Sequence, residues 1–173
     1  MNLILLGYRG SGKTSIGRKL ASQMWKTFAD VDAEVCKRFD GRTVAEIWQQ
    51  QGEPAFRAAE VAVTKDLIAR PDHVIALGGG TLMQPEARAA VEAADAKRLY
   101  LHCQPAVLAE RIAADAASAA TRPDLTGLGG GVEEVEAVLR EREPVYRAVA
   151  DEVFDVSHTN LDEAVRHIIQ RHL

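Results

Sequence analysis

The octapeptide Gly7-Tyr8-Arg9-Gly10-Ser11-Gly12-Lys13-Thr14 constrains this chain more than any other feature. It fits G-x-x-x-x-G-K-[ST], follows the apolar run Leu3–Leu6, and opens a segment in which Ile16 and Leu20 stand four apart. Strand, glycine loop and helix in that order make a phosphate cradle: the glycines bend the backbone so that several amides and the helix N-terminus face an anion. Chance matches arise in only about one chain in a hundred of this length. Gly10, Ser11, Gly12, Lys13, Thr14 and Ser15 are therefore the candidate nucleotide contacts. Lys13 is expected to reach the β- and γ-phosphates, and the Thr14 hydroxyl to coordinate Mg²⁺. Gly17, one turn on, reads as a packing position between helix and sheet.

The remainder of the chain repeats the strand–helix alternation. Strand candidates are Leu3–Leu6, Thr27–Ala29, His73–Leu77, Arg98–His102 and Val153–Val156. Between them, Thr43-Val44-Ala45-Glu46 has the form of a capping box, and Pro54, Pro85 and Pro105 each suit the first turn of a helix. A last helix begins near Asn160, with Leu161, Val165, Ile168 and Ile169 on one stripe. This pattern predicts an α/β fold with a parallel sheet covered by helices on both faces, its ligand loops at the carboxyl ends of the strands. At 173 residues it is read as one domain. The net charge of −4 disfavours a general nucleic-acid or membrane-surface binder. No apolar run approaches a membrane span, and the N-terminus lacks a signal peptide's basic flank. Cys36 and Cys103 show no metal-site spacing and read as two buried free thiols, so a cytoplasmic location is expected.

Three further clusters carry chemistry. The strand ending at Leu77 runs into Gly78-Gly79-Gly80 without an acid, so the metal-organising carboxylate is sought in Asp30-Val31-Asp32, whose two acids on an extended segment point to one side. The triple glycine offers bare amides and room for close approach of a ligand. Among the arginines, Arg57 is three residues from Glu60, which by itself reads as a surface pair. Arg142 stands beside Pro144, which predicts a break or kink in its helix. Arg122 falls in a glycine-rich segment, 113–131, read as a mobile loop whose cation could close over phosphates. His102 is read as structural. Trp25 and Trp48 are core or pocket residues, Trp48 being the one placed nearer the acceptor.

GYRGSGKT at 7–14, DVD at 30–32, FRAAE at 56–60, LGGG at 77–80 and REPVY at 142–146, with TRPDL at 121–125, together resemble the shikimate kinase family. The resemblance implies a three-layer P-loop kinase fold with a five-stranded parallel sheet in order 2-3-1-4-5. It also implies an acceptor-binding region at about 32–61 and a lid at about 113–131. It implies ATP-dependent phosphorylation of the 3-hydroxyl of shikimate to shikimate 3-phosphate and ADP, in the route to chorismate and the aromatic amino acids. On that resemblance Asp32 holds the shikimate hydroxyls and acts as base, and Arg57 and Arg142 clamp the carboxylate. Gly79, with Gly78 and Gly80 beside it, lends an amide. Arg122 is the lid cation on ATP, Arg111 stacks on adenine, a further adenine contact not assigned to one residue falls near 157–160, and Asp30 supports the Mg²⁺ shell through water. ATP and shikimate are the expected partners of a monomer. Two other readings share parts of this pattern. One is a gluconate or nucleoside monophosphate kinase, which would not explain Asp32, Arg57, Gly79 and Arg142 together. The other is a non-catalytic nucleotide-binding relative, which would be expected to have lost Lys13 or Asp32.

Overall fold

A computed structural model describes residues 1–115, 125–126 and 130–172. Five strands, β1 (Asn2–Leu6), β2 (Thr27–Asp30), β3 (His73–Ala76), β4 (Ala96–His102) and β5 (Glu152–Asp155), form one sheet in the order β2-β3-β1-β4-β5. Every pairing is parallel. β1 is central, with Leu5 level with Ala76 on one side and Leu99 on the other. All five of its residues are buried, the signature of a strand covered on both faces. All strands therefore deliver their following loops to the same edge, and the site lies there.

The helices are α1 (Lys13–Gln23), α2 (Val31–Arg38), α3 (Val44–Gln51), α4 (Glu53–Ile68), α5 (Pro85–Ala93), α6 (Pro105–Ala114), α7 (Val132–Val149) and α8 (Leu161–His172). Their starts follow local chemistry. The Thr43 hydroxyl accepts from the Glu46 amide while the Glu46 carboxylate accepts from the Thr43 amide, closing the capping box. Pro54, Pro85 and Pro105 occupy first turns. Asn160 and Glu163 exchange reciprocal bonds of the same kind ahead of α8. Gly17 is required by space, since a Cβ there would lie 2.5 Å from the Phe28 ring.

Several expectations need correction. Helix α7 continues through Pro144 without a break; Pro144 and Arg140 are both exposed, so the carbonyl that loses its amide donor is on the wet side of the helix. Asp30 and Asp32 do not share an extended segment, because the strand ends at Asp30, which caps α2 by accepting from the Ala33 amide. Cys103 is buried but Cys36 only partly so, and neither is in a disulfide. Trp25 is neither core nor pocket: it is 94% exposed, at φ 56° in the turn after α1. Among the described residues no helix is long and apolar enough to cross a membrane.

Candidate active site

The loop after β1 wraps toward the start of α1 with Gly10 and Gly12 at φ +81° and +88°, a backbone that side-chain-bearing residues rarely adopt. Gly12 is the N-cap of α1, so the helix N-terminus opens into the loop. The Lys13 ammonium curls back over that loop, donating to the carbonyls of Gly7 at 2.7 Å and Tyr8 at 2.8 Å. Thr14 donates its hydroxyl proton to Asp30 Oδ2 at 2.8 Å. Asp30 thus performs two tasks at once, capping α2 with one oxygen and holding Thr14 with the other.

Three clefts meet around this loop. The first, bordered by Arg9, Gly12, Lys13, Thr14, Asp30, Asp32, Gly79 and Arg111 among others, is polar and lies across the helix N-terminus. A second runs from Gly10, Ser11, Gly12 and Ser15 to Arg111, Val156, Thr159 and Asn160. Arg111 is fixed there by donation to the Val156 carbonyl at 2.8 Å. The Thr159 hydroxyl is buried without a hydrogen-bond partner, which singles it out within the 157–160 segment. The third cleft is lined by Tyr8, Arg9, Asp32, Trp48, Phe56, Arg57, Gly79, Gly80, Leu125 and Arg142 among others. It shares Arg9, Asp32 and Gly79 with the first.

Arg57 is not the surface residue that its spacing suggests. Its side chain is 15% exposed and that of Glu60 1%. The guanidinium donates to Glu60 at 2.8 Å and Glu53 at 3.1 Å, and it lies over the rings of Trp48 and Phe56. Burial works to lower the Arg57 pKa, but Glu60 and Glu53 reverse it and hold the guanidinium above its ordinary value. Glu60 also accepts from the Thr81 hydroxyl at 2.6 Å, so one buried acid fastens both α4 and the turn after the glycines.

The triple glycine serves these side chains. A Cβ on Gly78 would collide with the Asp32 and Glu60 carboxylates, and one on Gly80 would lie 2.7 Å from Arg57 Nη1. On Gly79 it would meet Arg142 Nη1 at 3.3 Å. None of the three has a positive φ. They are glycines for space, which Asp32, Arg57 and Arg142 occupy.

Arg142 and Gly79 also line the third cleft, and the hydroxyl of the buried Tyr146 donates to the Gly79 carbonyl. Burial pushes Tyr146 up to about 12, with the Arg142 guanidinium beside it pulling the other way. Trp48 lines this cleft, its indole nitrogen buried and without a partner. Arg122 lies outside the described residues, as does most of the 113–131 segment. Of its far end, Leu125 reaches the cleft and its amide donates to the buried Glu134 at 3.1 Å.

The structure therefore gathers Lys13, Thr14, Asp30 and Asp32 beside the loop amides. Arg57, Gly79, Gly80 and Arg142 form the adjoining cleft, and Gly78 lies behind it. Glu60, Thr81, Tyr146 and Arg9 were not anticipated in these positions. The sequence signal for Tyr146 was its place in REPVY, and for Glu60 its place in FRAAE.

Residues 9–172 match the family model described as shikimate kinase. The chain belongs to the shikimate kinase family. A shikimate kinase from Rhodopirellula baltica is 39% identical over 169 residues, covering 98% of this chain and 89% of the relative. One from Thermobifida fusca is 37% identical over 165 residues, 95% of this chain and 91% of the relative. The solved shikimate kinase of Acinetobacter baumannii in complex with shikimate superposes with a TM-score of 0.88 at 28% identity, covering 99% of this chain and 92% of that one. In shikimate kinase terms the strand order 2-3-1-4-5 is the one expected from the resemblance.

Proposed function

We propose that this chain transfers the γ-phosphoryl group of ATP to the 3-hydroxyl of shikimate, yielding shikimate 3-phosphate and ADP. The observation that carries this reading is a cleft sharing Asp32 and Gly79 with the phosphate loop and walled by two guanidiniums, Arg57 and Arg142. Its chemistry matches a small polyhydroxylated carboxylic acid: guanidiniums for the carboxylate, an acid for hydroxyls, and a glycine floor with amides. We assign Lys13 and the amides of Gly10, Ser11, Gly12, Thr14 and Ser15 to the phosphates, and Arg111 and Thr159 to the base. Asp32 orients the acceptor hydroxyl and takes its proton as the new O–P bond forms and the β–γ bridging bond breaks. Arg122 belongs to this assignment as the lid cation. The same reading takes the protein as a cytoplasmic monomer that engages neither membrane nor nucleic acid, with the chain as one unit whose acceptor region spans about 32–61.

Mg²⁺ fits the groove. Thr14 and Asp30 supply hard oxygen donors in contact with each other beside the phosphate cradle. Mg²⁺ keeps mostly water and phosphate ligands, so two protein oxygens beside the phosphate cradle are enough to hold it. When bound, the ion neutralises charge on the phosphates. Thr14 and, through water, Asp30 are the residues that hold it in this reading.

The test is turnover of ATP with shikimate, gluconate and each nucleoside monophosphate in turn. Coupled ADP release with shikimate alone is expected; equal or faster turnover with another acceptor refutes the assignment.

A further inference from the structure

Arg9 occupies a variable position of the phosphate loop and enters none of the roles above, yet it borders both the phosphate groove and the acceptor cleft. Its Nε is buried and has no hydrogen-bond partner within the protein, an arrangement that is unfavourable unless a ligand or water completes it. The charge balance of the cleft says which ligand. Arg57 is already paired with Glu60 and Glu53. Arg9 and Arg142 take part in none of the ion pairs among the described residues. Both guanidiniums act on one group, the buried Tyr8 hydroxyl, whose pKa burial raises and the two cations pull back. The acid acting on that same hydroxyl is Glu134, one of whose oxygens accepts from the Leu125 amide while the other is buried without a partner, so it offsets one of the two cations and leaves the other in excess. Two guanidiniums therefore line one cleft with a single carboxylate acting beside them, and an anionic group on the acceptor is the complement that would satisfy the excess.

We propose that Arg9 is a specificity-determining residue that contacts the acceptor's carboxylate together with Arg142, so that the pocket discriminates carboxylates from neutral acceptors of the same shape. This rests on the acceptor reading given above. The cation carried by Arg57 is largely neutralised before the acceptor arrives, so Arg9 supplies charge that Arg57 does not.

The experiment compares shikimate with its neutral carboxamide, at saturating ATP, in the wild-type protein, Arg9→Met and Arg9→Lys. Arg9→Met is expected to raise the shikimate KM about tenfold, the effect of losing one charge-assisted contact. It should leave the carboxamide kcat/KM and the ATP KM within about twofold. Arg9→Lys keeps the charge but loses the planar fork, and should raise the shikimate KM severalfold. It keeps the proposal open to refutation if the Met variant does not fold. An unchanged shikimate KM in the folded variants overturns the proposal. So does an equal loss with the carboxamide, or a rise in the ATP KM, either of which places Arg9 on the phosphates instead. Failure of the wild-type protein to phosphorylate shikimate at all would be a different result, since it removes the acceptor reading itself along with this proposal.

Discussion

Replacing Gly80 by alanine isolates the claim that the triple glycine exists to seat side chains. Gly80 has φ −102° and ψ −5°, a conformation alanine adopts freely, so the backbone contributes no strain. The new methyl would lie 2.7 and 2.8 Å from the two terminal nitrogens of Arg57 and 3.0 Å from Cζ. Relief to an ordinary 3.4 Å contact requires the guanidinium to retreat by roughly 0.7 Å. It is held by Glu60 at 2.8 Å and Glu53 at 3.1 Å, so a shift of that size stretches or breaks one of these bonds and misaims the group in the acceptor cleft. Losing one hydrogen bond to a charged group corresponds to ~2 kcal/mol, or about thirtyfold in affinity. Steady-state kinetics of Gly80→Ala should therefore show a shikimate KM raised by about that factor while the ATP KM stays within twofold. Gly79→Ala, whose methyl meets Arg142 Nη1 at the milder 3.3 Å, should show a smaller rise. The reasoning fails if Gly80→Ala leaves the shikimate KM unchanged, or if both substrates are affected alike, which would mean that the loop rather than Arg57 had moved.

Asp32→Asn keeps the shape of the acceptor cleft but removes the proton acceptor. Its turnover should fall by two orders of magnitude or more, and a kcat within tenfold of wild type would remove Asp32 from that role. Arg142→Ala should act chiefly on the shikimate KM, as expected for a group that binds the ground state; an unchanged KM would show it misassigned. Asp151 accepts hydrogen bonds from Arg98, which hold its carboxyl below the ordinary 3.8 against the opposing effect of burial. A depressed folded pKa means that the contribution is complete above 3.8 and is lost as pH falls through the lower folded value. For a pair this exposed it amounts to about 1 kcal/mol at most. Thermal melts should show Asp151→Asn less stable than wild type at neutral pH and the gap closing in acid; a gap that persists at low pH would argue against the linkage.

Local chemistry made much of this fold readable. The strands announced themselves as short β-branched runs, the capping box and the first-turn prolines marked helix starts, and Gly17 marked a close approach. What could not be read was the long-range packing. Arg57 and Glu60 are adjacent on one face of a helix in either case; only burial of that face and the arrival of Thr81 from the turn after the glycines turn a surface pair into a buried one. The spacing of Asp30 and Asp32 suggested a shared strand face, but the chain changes from strand to helix between them, and the first acid caps the second's helix. Pro144 was a good reason to expect a break, outweighed by a helix that buries Val135, Val138, Leu139, Tyr146 and Val149 along one side. Arg9 went unnoticed because the loop pattern leaves its identity open, and nothing near it in sequence reveals which cleft it borders.

The positions of the two tryptophans make the molecule its own reporter. Trp25 stands almost wholly in water, whereas Trp48 packs edge-on to Phe56 under the Arg57 guanidinium at the acceptor cleft. Their emissions should be separable by a soluble quencher, which reaches the first freely and the second poorly. Replacing Trp25 by phenylalanine removes no packing and leaves a single indole, so occupancy of the acceptor cleft becomes observable by light, without turnover and without a coupled enzyme.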